Sequence, residues 1–125
     1  MKLQPDTSLA PLIRGLGPGW LQIEQQRFHS SVFLHSQRQP PVQAWTPDRF
    51  ETLKDLDFQL DALDDCELLL FGSGRRLRFV PTTWTEAFWS KGIGFETMDT
   101  AAACRTYNVL ASEGRKVAAW LLLET

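Results

Sequence analysis

The chain is poor in the residues from which most recognisable sites are built. Cys66 and Cys104 are its two cysteines and His29 and His35 its two histidines. Two cysteines exclude a four-cysteine zinc site, and both fall in apolar patterns, as expected of small buried thiols in a reducing compartment rather than of a disulfide. Charge of one sign is lacking too. Thirteen basic and 15 acidic residues give a formal net charge of -2, so no global field draws the chain to nucleic acid or to an anionic membrane, and no nucleic-acid partner is expected. Long apolar runs are absent: Val117 to Leu123 reaches about a third of the ~20 residues that span a bilayer, which predicts a buried strand and no membrane insertion. The opening residues, MKLQPDTSLAPLIRGLGPGW, carry Asp6, three prolines and no continuous apolar block. They do not resemble a secretory leader, so a cytoplasmic location is expected.

What is present is an ordinary globular composition, 43% hydrophobic and 22% charged over 125 residues, a length suited to one core. Residues 1–19 mix Pro, Gly and isolated apolar residues without a period, which predicts an irregular arm packing by Leu9, Leu12 and Ile13. Residues 20–125 are expected to form a single α/β domain. Trp20, Leu21 and Ile23 begin one strand and Phe28 to His35 a second, joined as a hairpin; Val42 to Trp45 follows as a third. Their polar content predicts antiparallel, partly exposed strands.

Thr46-Pro47-Asp48 has the chemistry of a helix start, with a threonine cap, proline in the first turn and an acid favourable to the dipole. That helix is expected to bury Phe50 and Leu53 and to break near Asp57. The acidic run Asp57, Asp61, Asp64, Asp65 reads as a solvated face, because it lacks calcium-loop spacing and its glycine, and no metal site is expected.

From Cys66 the pattern is clearer. CELLLF is a short apolar block ending at Gly72-Ser73-Gly74, as expected of a central parallel strand. Thr83-x-x-Glu86 reads as a capping box for a helix that buries Trp84, Ala87 and Phe88 and stops at Gly92. Ile93 to Thr97 returns as a strand, and Asp99-Thr100 caps a further helix. Helical spacing puts Ala103, Tyr107, Leu110 and Ala111 on one face and Arg105, Asn108 and Ser112 on the other, with Gly114 as the stop. The order strand, helix, strand, helix, strand predicts right-handed crossovers in a largely parallel sheet covered by helices.

In such a sheet ligands gather beyond the carboxyl ends of the strands. Gly72, Ser73, Gly74 and Arg75 should lie there beside Asp99 and Thr100, offering backbone amides, arginine and a helix start to a phosphate or carboxylate. The alternative is that the glycines only make a turn, the arginines are solvated and Asp99 only caps. Arg105, Asn108 and Ser112 form a second-tier surface with the same two readings. Glu113 and Arg115 flank the stop and could pair across it. Named motifs fail: Leu77 stands where a dinucleotide fingerprint needs its third glycine, and Phe71 where a nucleophile elbow around Ser73 needs its first. Cys104 beside Arg105 has the sequence of an activated thiol, but its inward position predicts an inert one. Trp89 points away from the Trp84 face, towards solvent or a partner.

Gly72-Ser73-Gly74, the run Glu96-Thr97-Met98-Asp99-Thr100-Ala101-Ala102-Ala103-Cys104-Arg105-Thr106-Tyr107-Asn108-Val109-Leu110, and Glu113-Gly114-Arg115 together resemble the Mth938-like family. This is the domain of unknown function 498 family, which includes a mitochondrial complex I assembly factor. The resemblance runs from about Trp20 onward. Its usual Gly-Thr-Gly is Gly-Ser-Gly here, which keeps the small hydroxyl. It implies a three-layer α/β fold with a central mixed, mostly parallel sheet flanked by helices and an N-terminal antiparallel hairpin region. It implies no catalytic residue and no cofactor. Two functions are in view: from the resemblance, a non-enzymatic binding or assembly-accessory protein with a protein partner; from the residues, a small-molecule or anion-binding domain, or an enzyme, using Gly72, Ser73, Gly74, Arg75, Asp99 and Thr100.

Overall fold

A computed structural model of the chain describes residues 9–37, 42–45 and 65–124. The helix expected from Thr46 and the acidic run up to Asp64 lie outside the described residues. Among the described residues, eight strands and two helices follow in the order β1 (Ile13–Gly17), β2 (Trp20–Ile23), β3 (Gln26–Phe28), β4 (Ser31–His35), β5 (Val42–Trp45), β6 (Leu68–Gly72), α1 (Thr82–Ser90), β7 (Gly94–Met98), α2 (Thr100–Ser112) and β8 (Val117–Leu121).

The main sheet has the order β5-β4-β8-β6-β7. It is mixed: β6 runs parallel to both β7 and β8, whereas β4 runs antiparallel to β8 and β5. Strand alternation then sorts the core into two layers. Register sets Phe33 beside Trp120 and Trp120 beside Phe71. These residues face α1, where Trp84 and Phe88 complete an aromatic cluster; the Phe88 ring lies tilted 5.1 Å from Phe95 and edge-on 5.9 Å from Trp120, centroid to centroid. Val32, Leu34, Leu70, Ala119 and Leu121 face the other way, against Ala103, Cys104, Tyr107 and Ala111 of α2. The small Ala119 on β8 lets that helix lie close to the sheet.

The second sheet, β1-β2-β3, caps the α2 side and contributes Ile13, Leu21 and Ile23 to the same cluster. Residues 13–17 were expected to be irregular and instead pair antiparallel with β2, with an irregularity between Ile13 and Gly15. The hairpin is also shorter than the sequence suggests. Phe28 ends β3 opposite Leu21, and Ser31–His35 leaves to join the main sheet. There β4 is buried along its whole length rather than partly exposed. Its polar first residue is accommodated by the chain just beyond β8: the Leu123 N–H donates to Ser31 Oγ at 2.8 Å. Just beyond β4, Ser36 Oγ donates to the Arg115 carbonyl and accepts from the Val117 N–H.

Helix α1 starts at Thr82 behind Pro81, with no side-chain cap, so the Thr83–Glu86 capping box does not form. Pro81 fixes the entry one residue early and places Thr83 inside the first turn, where it cannot cap. Helix α2 starts as its sequence predicts, with Asp99 Oδ1 accepting the Ala102 N–H at 2.8 Å.

Candidate functional site

The loop after β6 and the start of α2 meet at the carboxyl end of the parallel strands, so Gly72, Ser73, Gly74, Arg75, Asp99 and Thr100 are brought together. The contact is reciprocal. The Gly74 N–H donates to Thr100 Oγ1 at 2.9 Å, and the Thr100 N–H donates to the Gly74 carbonyl at 2.9 Å. Thr100 Oγ1 in turn donates to the Leu122 carbonyl at 2.7 Å, so one hydroxyl ties together the loop, the helix start and the chain beyond β8. Gly72 permits this approach: a Cβ there would lie 3.0 Å from the Thr100 Cα.

Ser73 is fully buried and its hydroxyl serves the loop. It donates to the Arg76 carbonyl at 2.8 Å and lies 3.2 Å from that of Met98, while accepting the Arg78 N–H at 2.9 Å. A nucleophilic role has no support in these contacts, and the small hydroxyl is explained by a turn that it closes on itself.

The cationic loop holds a carboxylate of its own chain. Glu124 Oε1 accepts the Arg75 N–H at 3.0 Å, and Glu124 Oε2 accepts from Arg78 Nη1 at 2.6 Å. Arg78 also donates to the Ser73 carbonyl at 3.0 Å. Both members of this ion pair are largely shielded from solvent. Burial raises the Glu124 carboxyl's pKa, but the Arg75 N–H and the Arg78 guanidinium together outweigh it and hold the group below its ordinary value. Gly74, at φ +106°, makes room for the pair, because a Cβ there would run into the Glu124 carboxylate.

Beside this contact lies a pocket of about 410 Å³, walled by Gly74, Arg75, Asp99 and Thr100, by Leu122 to Glu124, and by Leu16 to Pro18 of the β1–β2 turn. The polar groups on its wall are engaged within the chain: Asp99 by the Ala102 N–H, Thr100 by Gly74 and Leu122, and Glu124 by the two arginines. No group of three or more metal-ligating side chains occurs among the described residues.

The second-tier residues separate. Arg105 is exposed, and Ser112 bonds to the Val109 carbonyl of its own helix. Asn108 is not a free surface residue. Its Oδ1 accepts the Ile13 N–H and its Nδ2 donates to the Ile13 carbonyl, both at 2.8 Å, so it joins β1 as a neighbouring strand residue would. Tyr107 is buried, and its hydroxyl donates to the Pro11 carbonyl at 2.8 Å; burial moves its pKa above the ordinary phenol value. Burial pushes the Cys104 thiol up to about 12 against the weaker pull of Arg105, which leaves it protonated and inert near neutrality. Arg115 pairs with Glu67 rather than Glu113. His35 is buried, with Nδ1 accepting the Gln37 N–H and Nε2 lying 3.2 Å from Asp65, a structural role.

Sequence reasoning missed Glu124 and its pairing with Arg78, and it named Asn108 without finding its partner, Ile13. For Glu124 the only available signal was a lone acid immediately after an apolar strand, near three arginines only in space. Trp89 is exposed, in line with its position off the core face, and so are Leu77 and Phe79 in the loop before α1.

Residues 13–122 match a family described as proteins of unknown function, DUF498/DUF598. An uncharacterised protein of Rhodobacter capsulatus is 35% identical over 120 residues, which span 95% of this chain and 90% of that protein. A Xenopus tropicalis protein named NADH dehydrogenase 1 alpha subcomplex assembly factor 3 is 39% identical over 56 residues, 45% of this chain and 31% of that protein. The solution structure of a Bordetella pertussis Mth938-like domain superposes with a TM-score of 0.74 at 27% identity, covering 99% of this chain and 93% of that one. No described helix is long and apolar enough to cross a membrane.

Proposed function

The chain belongs to the DUF498/DUF598 family, and on that premise we propose that it is a non-enzymatic binding protein of the assembly-accessory kind, acting through protein contacts. The observation that carries this proposal is the state of the glycine loop. The Arg75 N–H and the Arg78 guanidinium are taken by Glu124, and the Ala102 N–H of the neighbouring helix start by Asp99, so these inward donors already hold carboxylates of the same chain. A bound anion would have to displace a shielded ion pair, which is costly. The partial match to a protein named as an assembly factor supports the same direction.

The test is a thermal-shift screen with phosphates, nucleotides and carboxylates, combined with cross-linking and co-purification from source cells. No anion should raise the melting temperature, and a defined protein should co-purify. A ligand present at about 100 times its Kd would add ~2.7 kcal/mol of stability, an unmistakable shift. A saturable shift of that size with a small anion would overturn the proposal.

A second function has one observation behind it: the seated Glu124 carboxylate is a stand-in for a carboxylate ligand of the loop. On that basis Glu124→Ala would gain a carboxylate or phosphate response that the wild type lacks. A variant that stays unresponsive while remaining folded would remove this alternative.

A further inference from the structure

We propose that the loop Arg75–Phe79 is a docking surface for an acidic, apolar-bearing segment of a partner protein, with Phe79 and Leu77 as the apolar anchors and Arg76 as the cation that selects acid. The inference rests on the protein-binding function proposed above and assigns it a place.

The loop exposes what a folded chain ordinarily covers. Phe79 is 76% exposed and Leu77 48%, while the next residue, Val80, is 9% exposed and joins the aromatic cluster under α1. Alternation along the segment turns Leu77 and Phe79 away from the body of the protein, with arginines at 75, 76 and 78 interleaved. A large aromatic next to arginine is the composition of an interface centre.

The loop is also fixed in shape. Ser73 Oγ bonds to the carbonyl of Arg76 and the N–H of Arg78 from beneath. Arg78 is held by Glu124 and the Ser73 carbonyl, and the Arg75 N–H by Glu124. The exposed side chains are therefore presented on a backbone that is already ordered, which lowers the entropy lost on binding. Glu124 has a second effect: it neutralises Arg78 at the loop base, while Arg76 stands exposed on the outer side of the loop.

Charge decides the partner. A cationic rim around two apolar side chains complements a segment with carboxylates flanking leucine or an aromatic. An anionic membrane fits less well. Electrostatic attachment there draws on about four to eight basic residues, whereas this loop has three arginines, one of them committed to Glu124, on a chain of net charge -2.

The full chain is immobilised and short random peptides are selected on it by display; enriched peptides are then titrated by fluorescence anisotropy against wild type, Phe79→Ser, Arg76→Glu and Val109→Ser. Val109 is an exposed apolar residue on α2 and serves as the control. The substituted side chains are exposed, so circular dichroism and melting temperature should stay close to wild type. Enriched peptides should pair carboxylates with apolar residues. Phe79→Ser and Arg76→Glu should each weaken binding about tenfold or more and Val109→Ser less than about twofold, with Arg76→Glu partly restored by peptides whose acids are replaced by lysine. Peptides that bind Phe79→Ser and Arg76→Glu as tightly as wild type would overturn the loop assignment and leave protein binding standing. Failure to enrich acidic peptides, or sedimentation with phosphatidylserine vesicles that Phe79→Ser abolishes, would overturn the assignment as well.

Discussion

Thr100→Val tests whether one hydroxyl holds the carboxyl end of the sheet together. Valine matches threonine in shape, so packing changes little, but two bonds are lost: the Gly74 N–H at 2.9 Å and the Leu122 carbonyl at 2.7 Å. Thr100 is buried, so neither group is offered water freely in exchange. Each buried group left without a partner costs about 1–3 kcal/mol. Their nearness to the pocket wall allows partial relaxation, which sets the expected loss at about 2–4 kcal/mol. At roughly 4 °C per kcal/mol for a chain of this size, the melting temperature should fall by about 8–16 °C. Urea unfolding followed by tryptophan fluorescence provides the measurement, with the midpoint shifting and the slope unchanged. Thr100→Ser keeps the hydroxyl and should retain most of the stability. Equal losses in the serine and valine variants, or a valine loss below about 0.5 kcal/mol, which is within ordinary surface-substitution scatter, would refute the bridging role.

Three further outcomes follow from the same region. Gly74→Ala combines a positive φ with a collision against Glu124, so its cost should exceed the ~1–2 kcal/mol of a left-handed alanine alone and should shrink in a Glu124→Ala background, read as a double-mutant coupling energy. The Glu124 carboxyl is depressed in the folded state, so its stabilising effect is present above its unfolded pKa and disappears as pH falls through the folded one. Stability profiles of wild type and Glu124→Gln should therefore converge on acidification below the ordinary carboxyl value of 4.5, and parallel profiles would contradict this. Cys104, buried and raised to about 12, should react with a thiol reagent only at the rate of opening, and rapid labelling of the native protein would show that the thiol is activated after all.

Local chemistry was legible in the sequence wherever one element contained all of its own information. The strand at Cys66 to Phe71, the cap at Asp99 and the faces of α2 each follow from spacing within a few residues. The capping box at Thr83 failed because Pro81, outside the four-residue pattern, governs where α1 begins. Strand β1 was hidden for a different reason. Its glycines and isolated apolar residues have little strand preference, and it becomes a strand through pairing with β2 and through the amide of Asn108, 95 positions away. Asn108 was placed with Arg105 and Ser112 on the wet face of α2, but it lies at the flank of the core face, one turn from Cys104, where β1 takes its amide while Arg105 and Ser112 stay exposed. Likewise Glu124 reaches Arg75 across 49 positions. The cationic loop could be read locally, but the acid that fills it could not.

The central place of β8, flanked by β4 and β6, has a consequence for how the molecule comes into being. Synthesis proceeds from the amino end, so β4, β5, β6 and β7 all exist before the strand that joins them. Until Val117–Leu121 is available, those four can form only a β4–β5 ladder and a β6–β7 ladder, each two strands wide and marginal on its own. Closure of the sheet is thus a late, long-range event, slow by the loop entropy it must overcome. A chain ending at Lys116 should show neither the cooperative unfolding nor the amide protection of the full chain. The strand made after these four is the one around which they assemble.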